Sequence, residues 1–378
     1  MKKVVLLLAL VLLTLASCES QRDPEELFNE QKSGVVLVLN KFYYRMRLPN
    51  GELLYFTGLD EEGNLRNLTG DETDARQKAQ TSFGTAFFID KKGTLLTNRH
   101  VASPPIDQRQ VRESFSQFID ALMAYGRAHL AELKERYDTL EAQKGEGGYF
   151  YDEQGEVQFI EPDNSEIDVQ QQLLERQYNE ALATMQQLQA INNPSQLFIE
   201  PVCRLGIAYD GTYVNNEAGF LDQNPCFVTR TAGSEEVDLA LLQLESGKTP
   251  DKAFVFDTSG GNSGDAGFFQ GLLAKKHSPD ELKVTSKLYM MGYNAGIVVA
   301  TTKKGIKAQL TMGTVSQQPD GERVLYSIPT VEGSSGSPVI DEWGNLVAVN
   351  FAKLAVGHAE NFNFGIPLKQ IQQFLQQR

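Results

Sequence analysis

Three residues of this chain have the types and settings for nucleophilic chemistry. Ser335 stands in Gly333-Ser334-Ser335-Gly336-Ser337-Pro338, with glycines two residues before it and one after. Glycine allows the tight bend that leaves a hydroxyl uncovered. It also leaves room for a substrate carbonyl above neighbouring backbone N–H groups, the geometry of an oxyanion hole. His100 ends the apolar run Thr94-Leu95-Leu96-Thr97-Asn98, and Asp238 interrupts the apolar run Val237–Leu244. A carboxylate inside such a run is costly unless it is hydrogen-bonded, and a histidine ring N–H is a fitting partner. A serine hydroxyl is a poor nucleophile until a base takes its proton. Neutral His100 suits that base and the later acid, and Asp238 suits the group that fixes its tautomer. Read from the residues alone, Gly/Ser strings are often only loops, and Ser334 and Ser337 rival Ser335.

The elements that would position these residues read mainly as strands. Val35–Leu39 is an apolar strand, Pro49-Asn50-Gly51 a turn and Glu52–Phe56 a returning arm. Residues 59–80 are polar and read as a long surface loop. Phe83–Asp90 and Thr94–Asn98 are strands around a turn at Lys91-Lys92-Gly93. The texture then changes. Val111, Phe115, Phe118, Leu122, Tyr125, His129, Leu133, Tyr137 and Leu140 recur at steps of three and four, one face of a long helix. Tyr149–Tyr151 and Val157–Ile160 read as a small hairpin. A second helix carries Ile167, Leu174, Tyr178, Leu182, Met185 and Leu188, and stops at Asn192-Asn193-Pro194. The two stripes pack most simply on each other as a helical hairpin, with His129 as a packed or half-exposed helical residue. Strand texture returns with Leu197–Ile199, Gly206–Tyr209 and Gly211–Val214. The chain closes in a helix from about Leu368 to Gln377.

The 378 residues suffice for two domains or one two-lobed unit. A formal net charge of −14 argues against nucleic acid, whose phosphates need a basic face. Met1-Lys2-Lys3 followed by the apolar run Val4–Leu15 and small residues reads as a secretory signal peptide. Its ending, Leu15-Ala16-Ser17-Cys18, resembles the lipobox of bacterial lipoproteins. That resemblance makes Cys18 the lipid-bearing first residue and places the protein at the bacterial cell envelope, on its periplasmic or outer face. Glu19 to about Gln31 is polar and acidic and reads as a flexible tether. An exported chain meets an oxidising compartment, so Cys203 and Cys226 are expected to pair across about 24 residues, worth roughly 3 kcal/mol, with two free buried thiols as the other reading. Without clustered His or Cys they make a poor metal site, and no metal or cofactor is expected.

The strings FGTAFFID and LLTNRHVA, then VDLALLQL, then EGSSGSPVIDEWGNLVAVNFA resemble the trypsin/chymotrypsin-like serine proteases, in that family's order of His, Asp and Ser. The nearest texture is the bacterial HtrA/Deg-type protease domain, without its PDZ domain, and the glutamyl endopeptidases. Phe362–Pro367 is similar to the last strand of the HtrA protease domain. The resemblance covers about 34–102 and 196–378. It implies a mostly β fold of two six-stranded antiparallel barrels, with a helical hairpin inserted and a C-terminal helix. The expected organisation is a signal peptide at 1–17, a tether at 18–33, a first barrel from 34–105 and 196–260, a helical insertion at 106–195, and a second barrel with its helix at 261–378.

Carried over residue by residue, the resemblance implies His100 as base, Asp238 as its orienter and Ser335 as nucleophile, since Ser335 alone has the family's flanking Gly, Gly and Pro. Gly333 and Ser335 N–H would form the oxyanion hole. Val331, Glu332, Asn350, Phe351 and Ala352, with about Asn363-Phe364-Gly365, would line the specificity pocket. Two departures limit the transfer. Ser334 replaces the Asp with which digestive enzymes capture a newly cut N-terminus. Asn350 replaces the His of glutamyl endopeptidases, so their acidic preference does not carry over, and His358 nearby reads as a surface residue. The helical insertion belongs to none of these families. The expected activity is a serine endopeptidase acting on peptide or protein substrates, with the lipid on Cys18 holding it at the membrane and a protein partner at 106–195. The alternatives are an inactive binding module that works through the insertion, and an esterase using the same triad.

Overall fold

The computed structural model describes residues 22–234, 237–260, 282–353 and 363–377. The signal segment, Cys18 and His358 lie outside the described residues. The chain forms two compact units. One comprises residues up to Phe42, Gln80–Pro105 and Val202 onward; the other comprises Tyr43–Ala79 and Ile106–Pro201.

The first unit contains two antiparallel sheets. Strands β1 (Val35–Arg47), β2 (Gln80–Phe88), β3 (Thr94–Thr97), β4 (Phe198–Tyr209), β5 (Pro225–Thr231) and β6 (Ala240–Leu244) run in the order β1-β2-β3-β6-β5-β4. β4 pairs back onto β1, which closes a six-stranded barrel. The second sheet holds β7 (Lys287–Gly292), β8 (Gln309–Thr314), β9 (Val324–Tyr326), β10 (Pro338–Ile340), β11 (Leu346–Lys353) and β12 (Asn363–Pro367), in the order β8-β7-β10-β11-β12-β9. Among the described residues its outer strands meet through the isolated bridge of Val315 with Tyr326, so this sheet is a curled half-barrel.

The continuous apolar run of β1 has a direct cause. Val36 and Val38 fill the interior of the closed barrel with Phe88, Leu95, Ile207 and Leu242. Val35, Leu37 and Leu39 point the other way and pack with Phe87, Leu241, Met291, Ile340 and Val349. A strand buried on both faces cannot alternate apolar with polar. The half-barrel has its own interior of Leu288, Met290, Val324, Tyr326, Val339 and Val347. The closing helix Leu368–Gln376 buries Leu368, Ile371 and Phe374 at helical spacing.

Part of the expected tether is folded. Pro24–Gln31 is a helix capped by Asp23, whose carboxylate accepts from Glu25 and Glu26 N–H. Proline at the first helical position and acids in the first turn favour this start. Leu27 is fully buried, and Gln31 Nε2 donates to Gly344 O at 2.9 Å. The acidic composition of the segment conceals the single buried leucine that docks it.

The cysteines also depart from expectation: Cys203 and Cys226 are free thiols. The β4–β5 register sets Cys226 opposite Leu205, leaving Cys203 two residues along. Such diagonal neighbours sit about 7–8 Å apart, against the roughly 4 Å between Cβ atoms that a disulfide needs. Burial pushes the Cys203 thiol up to about 11 and the Cys226 thiol to about 12.

The second unit is built on helix α1 (Gln108–Ala142) and helix α2 (Ser165–Ile191). Asp107 caps α1 by accepting from Arg109 and Gln110 N–H. Their antiparallel register is marked at one end by Asn192, bonded to Ser116 and Asp120, and at the other by Gln171 Nε2 donating to Glu141. The expected hairpin Gly148–Tyr151 and Val157–Ile160 joins them. Residues 43–79, which include the far end of β1, group with this unit, and the expected loop contains the ladder Gly58–Leu59 with Leu65–Arg66 and the helix Glu72–Gln77. Leu65 N–H donates to Ser114 Oγ of α1 at 3.1 Å, which ties that segment to the base of the helix.

Candidate active site

The loop 333–338 joins the half-barrel's turn to β10. Gly333 and Gly336 both have positive φ, +91° and +84°. A Cβ on Gly336 would lie 2.1 Å from Thr85 O and 2.4 Å from Thr97 Oγ1; one on Gly333 would lie 2.4 Å from Tyr293 O. Only glycine satisfies both the angle and the space at these two positions. The loop is seated on the first barrel. Thr85 N–H donates to Ser335 O at 2.8 Å, and Thr85 Oγ1 donates to Gly333 O at 2.8 Å. Thr97 Oγ1 in turn donates to Thr85 O at 2.7 Å.

Three residues beyond Thr97, His100 lies in a single helical turn, Arg99–Ala102. Its Nδ1 is 2.6 Å from Asp238 Oδ2, and its backbone N–H donates to Asp238 Oδ1 at 3.0 Å. Asp238 O accepts from Asn98 Nδ2 at 2.8 Å and Arg99 N–H at 3.2 Å. Asp238 therefore precedes strand β6, which starts at Ala240, instead of interrupting it. Both ends of the residue are committed to the 98–100 turn, which removes it from the ladder. An ionised carboxylate only accepts hydrogen bonds, so it assigns the ring proton to Nδ1. The Nε2 lone pair is then left for a proton from elsewhere.

The peptide planes around Ser335 are also set. Glu332 O accepts from Ala295 N–H at 2.6 Å. In a trans peptide the N–H points opposite to the C=O, so Gly333 N–H faces away from that contact. Ser334 O accepts from Ser337 N–H at 3.1 Å and from Asn350 Nδ2 at 3.0 Å, and Ser335 N–H likewise faces away. Neither Gly333 N–H nor Ser335 N–H donates to another described residue, although Gly333 is buried. Two buried or half-buried donors without protein acceptors suit a developing oxyanion.

The expected pocket residues divide. Val331 and Glu332 are exposed beside the loop, and half-buried Phe351 has its ring 6.3 Å from that of Phe364. Asn350 does not line an open pocket. It is 2% exposed and is turned inward to Ser334, because its amide is used inside the sheet. His129 sits on α1 of the other unit, 3.9 Å from Glu132.

Residues 201–349 match the family model of the trypsin-like peptidase domain. This match and the two-sheet architecture support a chymotrypsin-like serine protease fold. No curated protein matches the chain. The matched stretch contains Asp238 and Ser335, whereas His100 lies ahead of it in sequence, separated by residues of the helical unit.

Residue-by-residue reading missed Thr85 and Thr97, both fully buried. Their signal was present: each is a hydroxyl within a strand whose neighbours are apolar, and a buried hydroxyl needs a partner. Which partner it takes is a matter of tertiary pairing.

Proposed function

We propose that the protein is a serine endopeptidase in which Ser335 is the nucleophile, His100 the general base and acid, and Asp238 the group that orients His100. The observation that carries this reading is the double contact of Asp238 with His100, through the ring Nδ1 and the backbone N–H. It leaves Nε2 as the free basic atom of the ring, the atom that Ser335 Oγ must reach in this reading.

In the proposed reaction a substrate carbonyl rests its oxygen against Gly333 and Ser335 N–H. Ser335 Oγ attacks the carbonyl carbon while its proton passes to His100 Nε2. The negative oxygen is held by the two N–H groups, and Asp238 stabilises the imidazolium. Collapse breaks the C–N bond, His100 returns the proton to the departing amine, and an ester on Ser335 remains. Water, deprotonated by His100, attacks that ester; Ser335 leaves with the proton and the new carboxylic acid is released. Exposed Val331 and Glu332 suit contacts to substrate side chains beside the scissile bond. The lipobox-like Leu15-Ala16-Ser17-Cys18 supports anchoring at the bacterial envelope.

The test is labelling of folded protein with a fluorophosphonate, together with hydrolysis of unfolded casein. Label on Ser335, turnover of casein and a silent Ser335→Ala variant are expected. Absence of both label and turnover would overturn the peptidase reading. A second reading, a binding module, is favoured by the exposed Tyr149, Tyr151, Val157, Phe159 and Ile160 of the helical unit's hairpin.

A further inference from the structure

We infer that Asn350, braced by Tyr326, is a positioning residue that holds the Ser335 N–H in place for the oxyanion; this rests on the peptidase reading above. Tyr326 is fully buried at 0% exposure and Asn350 at 2%. Neither side chain is needed to fill space in a way an apolar residue could not, and burying an amide and a phenol without partners is costly. Each is instead committed to one chain of hydrogen bonds.

The orientation of the Asn350 amide follows from its neighbours. Ser334 O is only an acceptor, so the atom 3.0 Å from it must be Nδ2. Oδ1 then faces Tyr326, whose hydroxyl lies 2.7 Å from it and 2.9 Å from Phe364 O and shares its one proton between them. Nδ2 also lies 3.3 Å from Ser334 Oγ, and that hydroxyl donates to Val331 O at 2.6 Å. The Asn350 backbone adds two ties: its O accepts from Gly336 N–H and its N–H donates to Ser337 O, both at 2.9 Å. One residue on β11 therefore grips the loop at Ser334, Gly336 and Ser337, on both sides of Ser335.

The consequence concerns one peptide plane. Rotation of the Ser334–Ser335 peptide would turn its N–H away from the oxyanion and swing a carbonyl oxygen towards it. Such a rotation must break the Asn350 Nδ2 bond to Ser334 O and expose the buried amide to an unpaired state. Ser337 N–H, at 3.1 Å, is the other restraint on that carbonyl, and it belongs to the same loop. Asn350 is anchored in a strand and braced by Tyr326, so it supplies the fixed reference.

Asn350→Leu removes both amide functions at similar volume, and Tyr326→Phe removes the hydroxyl that contacts Asn350 Oδ1 and Phe364 O while keeping the ring. Loss of one oxyanion donor costs about 10²–10³ in kcat. We expect Asn350→Leu to lower kcat on the order of 10²-fold and Tyr326→Phe about 10-fold, each with KM within about threefold. Affinity for a peptide aldehyde, which forms an oxyanion with Ser335, should fall in parallel with kcat. A residue that only supports folding would lower Tm and leave kcat of the folded protein unchanged; a pocket residue would raise KM alone. Either pattern would overturn the proposal while wild-type turnover keeps the peptidase reading intact. An inactive, unlabelled wild type would overturn both. If Asn350→Leu does not fold, Tyr326→Phe carries the test by the same kcat and aldehyde readouts.

Discussion

Gly336, in the loop of the two-sheet unit, and Gly155, at the hairpin turn of the helical unit, have nearly the same backbone angle, φ +84° and +80°. Their surroundings are opposite. A Cβ on Gly336 would strike Thr85 O at 2.1 Å, and one on Gly155 would meet nothing within 4 Å. The same contrast holds for the units around them. The two-sheet unit is joined by pairings between residues far apart in sequence, such as Val35 with Phe87 or Thr85 with Ser335. The helical unit follows its local pattern, and toward its hairpin it exposes large apolar side chains, including Tyr149 and Tyr151. A glycine required by its turn and a glycine required by its neighbours look alike in sequence and differ in what a methyl group does to them.

The largest expected effect separates these two glycines. Gly336→Ala adds a backbone clash to the roughly 1–3 kcal/mol of left-handed strain, and should reduce casein hydrolysis at least about 10²-fold and lower Tm. Gly155→Ala bears the strain alone, in a two-stranded hairpin that is marginal by itself, and should leave hydrolysis unchanged and Tm nearly so. Equal losses in the two variants would break the comparison. Within the helical unit a second pair sharpens it. Phe115 of α1 is 0% exposed and Tyr125 is 75% exposed. Phe115→Ala should cost about 3–5 kcal/mol in denaturant unfolding, and Tyr125→Ala under about 0.5 kcal/mol. Similar costs would mean that the base and the outer part of α1 are equally anchored.

The smallest effect concerns the thiols in the closed barrel. Burial raises Cys203 from an ordinary 9.0 to about 11. The folded protein thus disfavours thiolate, and this contribution to stability is present below about pH 9 and is lost as pH rises towards 11. At pH 8 the thiolate population should be about 100-fold smaller than in unfolded chain. Reaction with dithionitrobenzoate at that pH should be slow in native buffer and fast in denaturant. Rapid native reaction, or a disulfide found by mass spectrometry, would contradict a half-buried Cys203 and a buried Cys226 held as free thiols.

Local patterns were the legible part of the chain. The long helices, the hairpin between them and the positive-φ glycines are written in spacing and composition, because each depends on residues a few positions apart. His100, Asp238 and Ser335 stood out for a related reason: each conflicts with its immediate neighbours. Other assignments needed the fold. The segment 24–31 is acidic and reads as a tether, yet one buried leucine docks it as a helix. Cys203 and Cys226 look like a pair until the strand register sets Leu205, not Cys203, opposite Cys226. Asn350 reads as a pocket residue because its position along the motif suggests one, whereas its amide is buried against Ser334. Thr85, Thr97 and Tyr326 were ordinary strand residues in the sequence. By itself the sequence determined which residue types stand out as suited to acyl transfer and which segments must be helix or bend, since chemistry and local sterics travel with residue type. Only the tertiary structure decided which buried polar groups meet, because a hydrogen bond between residues far apart depends on register, and no local pattern records it.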